Sequence, residues 1–170
     1  MIEEKHFNKI QENLYSRQIG TYGEEAMKKI INLNILILGL KGLGIEVAKN
    51  IILTGPEKVI IFDPSIVQLK DLGLNYYLKE KDIGKNRIDY SSIDCLSNLN
   101  PNTTVEILKT NQNNNFYEIL KQIKLDVIVE TELISQQKII CLNEYCRENH
   151  IKFIYGANMG LSRGDGVPFA

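Results

Sequence analysis

Three glycines, a lysine and an aspartate offer the most legible chemistry in this chain. Gly39, Gly42 and Gly44 stand in "ILILGLKGLGIEVAKNIIL", where a continuous apolar run enters a glycine-rich turn and leaves it as a helix. Turns of this kind bind nucleotide phosphates. The first glycine makes the tight turn, the second lets the backbone approach a pyrophosphate, and the third lets the helix pack on the strand. The strand must end at Gly39, so Lys41 takes the close-approach place and Gly44 the packing place. A lysine there either fills the phosphate site and excludes the ligand or grips phosphate as a point charge. The loop alone supports both. Asp63 closes the next apolar run, "KVIIFD", where a ribose-binding acid would sit, about 20 residues beyond the loop. Standing before Pro64, it equally suits a strand-end turn.

The elements that position these residues follow from periodicity. Residues 23–33 read as a helix with acids first, lysines later and Ala26, Met27, Ile30 and Ile31 on one side. Residues 34–39 read as a central parallel strand. Ile45, Val47, Ala48, Ile51 and Ile52 give the next helix, from Gly44 to about Leu53, which "TGP" stops. "KVIIFD" is a second strand. The stretch from Pro64 to Arg87 has no clear periodicity, and residues 87–98 read as a helix. "TTVEILK", "LDVIVE" and "IKFIYG" read as further strands, with helices over 116–123 and 136–149 and a polar loop at "NQNNN". Strands alternating with helices predict an α/β fold, a Rossmann-like and mostly parallel sheet with helices on both faces. Residues 1–13 read as an N-terminal arm and 14–170 as one domain. The end, "GLSRGDGVPFA", is glycine-rich and stops abruptly, which suggests a piece of a longer chain. Its Arg-Gly-Asp triplet reads as chance.

Composition narrows the function classes. The 170 residues are 44% hydrophobic and 24% charged, with a formal net charge of −1. That balance gives no general pull toward nucleic acid or an anionic membrane. No apolar run approaches the roughly 20 residues of a membrane span, and the polar start lacks a signal core, so a soluble intracellular protein is expected. Cys95, Cys141 and Cys146 lack metal-ligand spacing and read as reduced thiols; His6 and His150 stand alone. No metal site is expected.

Several stretches together resemble a known family. "LYSRQIGTYGEEAMKKI", "LILGLKGLGIEVAKNIILTG", "VIIFDPS" and "YYLKEKDIGKNR" resemble, in order over nearly all of residues 14–155, the N-terminal half of the ubiquitin-activating enzymes. These belong with the ThiF-type adenylyltransferases. The resemblance implies two versions of one fold: an active half that binds ATP and magnesium and adenylates a modifier's C-terminal glycine, and an inactive half that keeps the fold. On the matched positions, this chain has Lys41 for a loop glycine, Ser65 for a second acid, and Leu74 for a phosphate-gripping arginine. Leu133, beside Glu132, stands where a magnesium-binding aspartate is found. Lys85, in "DIGKNR", matches a lysine that the active half uses.

The resemblance thus implies a non-catalytic half, with Gly39, Gly42, Gly44, Asp63 and Lys85 as a vestigial nucleotide site. ATP and magnesium are expected in the partner half and not to bind strongly here. Arg17, in "YSRQ", would reach into the partner's ATP site as an arginine finger. The implied partners are a catalytic adenylation half or subunit and ubiquitin or a ubiquitin-like modifier, in the cytoplasm and nucleus. "GLKGLG" and "NLNP" lean instead toward the smaller subunit of SUMO-activating enzyme. Two other readings stay open. One is an active ThiF-type adenylyltransferase, against which Ser65, Leu74 and Leu133 argue. The other is an NAD- or FAD-dependent oxidoreductase built on the same loop and Asp63.

Overall fold

The apolar runs place five strands side by side, and the glycine-rich end adds a sixth. The computed structural model describes residues 14–88, 92–109, 116–159 and 162–166, which include all the elements that follow. These are α1 (Ser16–Tyr22), α2 (Glu24–Ile30), β1 (Asn34–Leu38), α3 (Gly42–Thr54), β2 (Lys58–Phe62), α4 (Ser92–Ser97) and β3 (Thr104–Ile107). They continue with α5 (Phe116–Lys121), β4 (Val127–Glu130), α6 (Gln136–Glu148), β5 (Lys152–Met159) and β6 (Ser162–Gly166). The sheet order is β3-β2-β1-β4-β5-β6, parallel except for β6. The predicted Rossmann-like, mostly parallel sheet is therefore the architecture observed.

Alternation along the central strands divides the core. Leu36 and Leu38 of β1, with Ile60, Ile128 and Phe153, face Leu120 of α5 and Leu142, Tyr145 and Cys146 of α6. Ile35 and Ile37, with Val59, Ile61 and Val129, face Ile45, Ala48 and Ile52 of α3. All five residues of β1 are buried, as a strand covered on both faces requires. Cys146 is buried, and burial pushes its thiol up to about 12. All three cysteines are free. No helix among the described residues is long and apolar enough to cross a membrane.

Four sequence expectations are corrected. The helix expected over 23–33 ends at Ile30, and a separate helix, α1, precedes it, with Gly23 at φ 85° making the joint. The helix expected over 87–98 spans only Ser92–Ser97. Arg87 and Ile88 are turn residues, because the Arg87 amide bonds the Ser65 carbonyl and Ile66 and Asn86 form a bridge. The stretch from Pro64 onward holds two short 3-10 turns, Leu69–Gly73 and Glu80–Asp82, fastened when Asp71 and Asp82 accept from the Gln68 and Lys79 amides. The glycine-rich end contains β6, paired antiparallel with β5 from Tyr155–Gly166 to Met159–Ser162. The N-terminal arm and His6 lie outside the described residues.

The loop glycines are needed for different reasons. Gly39 has φ 88° and gives its amide to the Phe62 carbonyl. A Cβ on Gly44 would lie 2.2 Å from the Gly39 carbonyl oxygen and 2.6 Å from Thr131 Oγ1, so helix and strand touch there without room for a methyl. A Cβ on Gly42 would meet Leu74, its Cβ at 3.2 Å and its carbonyl oxygen at 3.4 Å, about an ångström farther than the contacts at Gly44. Gly44→Ala should therefore cost about 3 kcal/mol, whereas Gly42→Ala should stay within about 1 kcal/mol, helped by alanine's helix propensity. Urea denaturation of both variants checks this contrast; equal losses would mean the helix–strand contact is not tight.

Candidate functional site

In an open α/β sheet the crevice for a ligand lies beyond the carboxyl ends of the strands, where the chain order reverses. Here β1 is followed on one side by β2 and on the other by β4. A crevice of about 570 Å³ opens at that point. Leu38 and Gly39 of the β1 end, Phe62 and Asp63 of the β2 end and Glu130 and Glu132 around the β4 end line it. Phe116, Tyr117 and Leu142 form an apolar wall, and Ser65 and Leu133 lie along the lining.

Most charges around the crevice pair with one another, while Lys138 of α6 also lines it and is exposed. Asp63 is buried; its Oδ2 accepts from the Leu40 amide at 2.8 Å and its Oδ1 from the Ser65 amide at 2.8 Å. Arg87 Nη1 lies 2.5 Å from Asp63 Oδ2 and Nη2 lies 3.0 Å from Asp71 Oδ2. Glu132 Oε1 stands 3.6 Å from Nη1. The guanidinium is only 2% exposed. Burial works against its charge, but Asp63 and Asp71 outweigh burial and raise its pKa. Burial likewise opposes ionisation of Asp71, yet the Gln68 amide and Arg87 hold its carboxyl below the ordinary value. Lys41 completes the set: its ammonium pairs with Glu132 rather than pointing into open solvent. Arg87 Nε, Asp71 Oδ1 and Glu132 Oε1 are buried without a hydrogen bond.

Glu130 lies on the floor of the same crevice and is 6% exposed. Its Oε1 accepts from the Glu132 amide at 2.8 Å. Burial pushes its carboxyl from 4.5 up to about 7, and the negative charges of Glu132 and Asp63 add to the rise against the pull of the Glu132 and Thr131 amides. This crevice therefore contains a carboxyl poised to be neutral just below physiological pH.

The structure brings Gly39, Gly42, Gly44 and Asp63 together around one turn and adds Lys41. It leaves Lys85 beside them: the residue follows the second 3-10 turn, its amide bonds the Asp82 carbonyl, and its ammonium stands 3.7 Å from Asp82 Oδ1, outside the crevice lining. Arg17 is exposed on α1 and is not part of the crevice lining. Leu74 lies against Gly42. Sequence reasoning missed Arg87, Asp71 and Glu130. Arg87 stood within the quoted "DIGKNR", but its partners are 24 and 16 residues away, so no local pattern marked it as buried. Among the described residues no cluster of His, Cys, Asp and Glu could hold a metal ion.

Two consequences can be measured. Arg87→Met would leave Asp63 and Asp71 buried without their cation, at a cost of about 3–5 kcal/mol, read from the midpoint of urea denaturation. Because the folded Glu130 carboxyl titrates above its unfolded value, the stability that it contributes is complete below 4.5 and is lost as pH rises through 7. Glu130→Gln should remove that loss, leaving the variant about 3 kcal/mol more stable than the parent at pH 8 and equal to it near pH 4. Parallel stability curves for the two proteins would show that Glu130 is not held in its neutral form.

Comparison with known proteins gives a consistent neighbourhood. A profile of the ThiF family matches residues 15–169. A ubiquitin-activating enzyme of Schizosaccharomyces pombe is 38% identical over 162 residues, which is 94% of this chain and 15% of that protein. A ubiquitin-activating enzyme of Arabidopsis thaliana is 39% identical over 154 residues, 89% of this chain and 14% of that one. The human ubiquitin-like modifier-activating enzyme is 38% identical over 152 residues, with 89% and 14% covered. The chain thus spans about 15% of the length of these curated relatives. Among solved structures, the tRNA threonylcarbamoyladenosine dehydratase of E. coli superposes with a TM-score of 0.74 at 16% identity, over 92% of this chain and 66% of that one. MccB of E. coli, solved with AMPCPP and MccA, does so with a TM-score of 0.69 at 24% identity, over 85% and 44%. At these identities both speak for the fold.

Proposed function

The chain belongs to the ThiF family, and from that premise we propose that it is the N-terminal, non-catalytic adenylation half of a ubiquitin-activating enzyme. In this reading it supports ATP-dependent adenylation of ubiquitin, or a ubiquitin-like modifier, by a partner half in the cytoplasm and nucleus. The observation that carries the reading is the internal pairing of the crevice. ATP brings about four negative charges, and a site that activates it must offer cations and metal ligands to offset them. Lys41, at the mouth, is committed to Glu132, and Arg87 is committed to Asp63 and Asp71. Leu74 lies where the resemblance implies a phosphate-gripping arginine, and Leu133 where it implies a magnesium ligand. The charged lining of the crevice is three carboxyl groups, Asp63, Glu130 and Glu132, against one lysine, Lys138. These residues do not fit a magnesium-bound triphosphate.

Arg17 is a cation outside the crevice. It is exposed, on a helix whose other residues are all exposed or half-buried, and it serves the partner's ATP site as an arginine finger. Fingers supplied in trans contribute on the order of 10³-fold or more to the reaction rate. The relatives named as ubiquitin-activating enzymes favour ubiquitin over other modifiers.

Two measurements test the reading. Co-expressed with its catalytic half, the chain should support modifier-adenylate formation, and Arg17→Ala should slow it by about 10³-fold; an unchanged rate removes the finger. Calorimetric titration of the chain alone with Mg·ATP should give no saturable binding. Saturable binding with the triphosphate ordered over Lys41 would restore an active site and overturn the assignment.

A further inference from the structure

The segment that bears Arg17 is joined to the body at a single buried side chain. Among residues 14–22 only Tyr15 is buried, at 3% exposed. Its ring lies on Gly55: a Cβ built there would sit 2.2 Å from the tyrosine oxygen and 2.5 Å from Cζ. Gly55 is thus glycine for two reasons, this close approach and its φ of 84° as the C-cap of α3. The hydroxyl accepts from Asn100 Nδ2 at 3.0 Å, and the same Nδ2 reaches the Ile52 carbonyl at 2.9 Å. Asn100 Oδ1 accepts from the Asn102 amide at 3.1 Å, and Thr103 Oγ1 stands 3.4 Å from the Ile52 carbonyl. Asn100 is itself buried. The Ile52 carbonyl, which also accepts from the Gly55 amide, a buried asparagine and a glycine without a side chain therefore form a socket shaped for one phenol.

The socket lies at the far end of α3 from the glycine turn. That helix has 13 residues, so about 20 Å separates its two ends. Arg17 is two residues beyond Tyr15, within about 7 Å of it along the chain. Otherwise α1 has no fully buried residue and no side-chain cap; Gln18 and Ile19 are half-buried, Thr21 Oγ1 bonds the Arg17 carbonyl within the helix, and Gly23 breaks the chain before α2. The direction in which Arg17 leaves the domain therefore depends on how firmly Tyr15 is seated.

We propose that Tyr15, held by Asn100, Ile52 and Gly55, is the positioning residue that aims Arg17 away from its own crevice and into the reaction of a partner. The inference rests on the reading of Arg17 as a finger and adds the device that preorganises it. A finger that must be ordered at each turnover loses part of its effect, because the cost of ordering is subtracted from the transition state alone. Tyr15→Phe keeps the ring in the socket and deletes only the oxygen that Asn100 grips.

The test uses the chain in complex with its catalytic half and reads single-turnover adenylate formation, the KM for ATP and the thermal midpoint. Four proteins are compared: the parent, Tyr15→Phe, Arg17→Ala and the double variant. Tyr15→Phe should lower the rate constant about tenfold, with KM and midpoint close to the parent's, and should add less than twofold in the Arg17→Ala background. A parental rate constant for Arg17→Ala overturns the finger and the socket with it. With Arg17→Ala slow, the socket alone is overturned in either of two ways: Tyr15→Phe is as fast as the parent, or its effect multiplies in full with that of Arg17→Ala. A fall in midpoint that accounts for the lost rate assigns Tyr15 to folding and likewise overturns the proposal.

Discussion

A guanidinium buried among three carboxylates is the constraint on which the crevice depends. Arg87 draws together the end of β2 through Asp63, the first 3-10 turn through Asp71 and the segment after β4 through Glu132. Burying such a charge costs several kcal/mol before its partners are counted, and only good geometry offsets that. Once in place it leaves the chain little freedom. The long excursion between β2 and α4 has no apolar periodicity to hold it, yet it is tied at Asp71, at the Ile66–Asn86 bridge and at the Arg87 amide. The same cation sets the orientation of Asp63, which in turn holds the Leu40 amide and so the shape of the glycine turn.

The turn itself is held from two sides. Gly44 lets α3 touch the Gly39 carbonyl, and Thr131 Oγ1 donates toward the carbonyls of Leu38 and Gly39 at 2.8 and 3.0 Å. The geometry of the loop is thus kept by packing, while Lys41 pairs with Glu132 across it. Packing holds the shape of the turn, and ion pairing occupies its lysine and the neighbouring acids.

Much of the fold was legible because it is local. Continuous β-branched and leucine runs gave β1, β2 and β4, and the near-3.6 spacing gave α3 and α6 to within two residues. What escaped reading is what distant partners impose. β6 is Ser-Arg-Gly-Asp-Gly, with no apolar residue; it is a strand because β5 offers it an edge. α1 has seven mostly polar residues and follows a buried tyrosine whose partner Asn100 is 85 residues away. In the crevice, Gly39, Gly44 and Asp63 announced themselves by spacing. Arg87 was read as the start of a helix because nothing near it in sequence shows that acids converge on it. Glu130 looked like the polar end of a strand, and only burial makes it unusual.

The ion pairing across the crevice has a consequence for stability. A nucleotide-binding domain is firmer when its ligand is plentiful and softer when it is scarce, since occupancy adds RT ln(1 + [L]/Kd) to its stability. A crevice whose counter-charges come from its own chain holds its shape without that contribution. Arg87 keeps the end of β2, the first 3-10 turn and the segment after β4 together whether or not anything occupies the space between them.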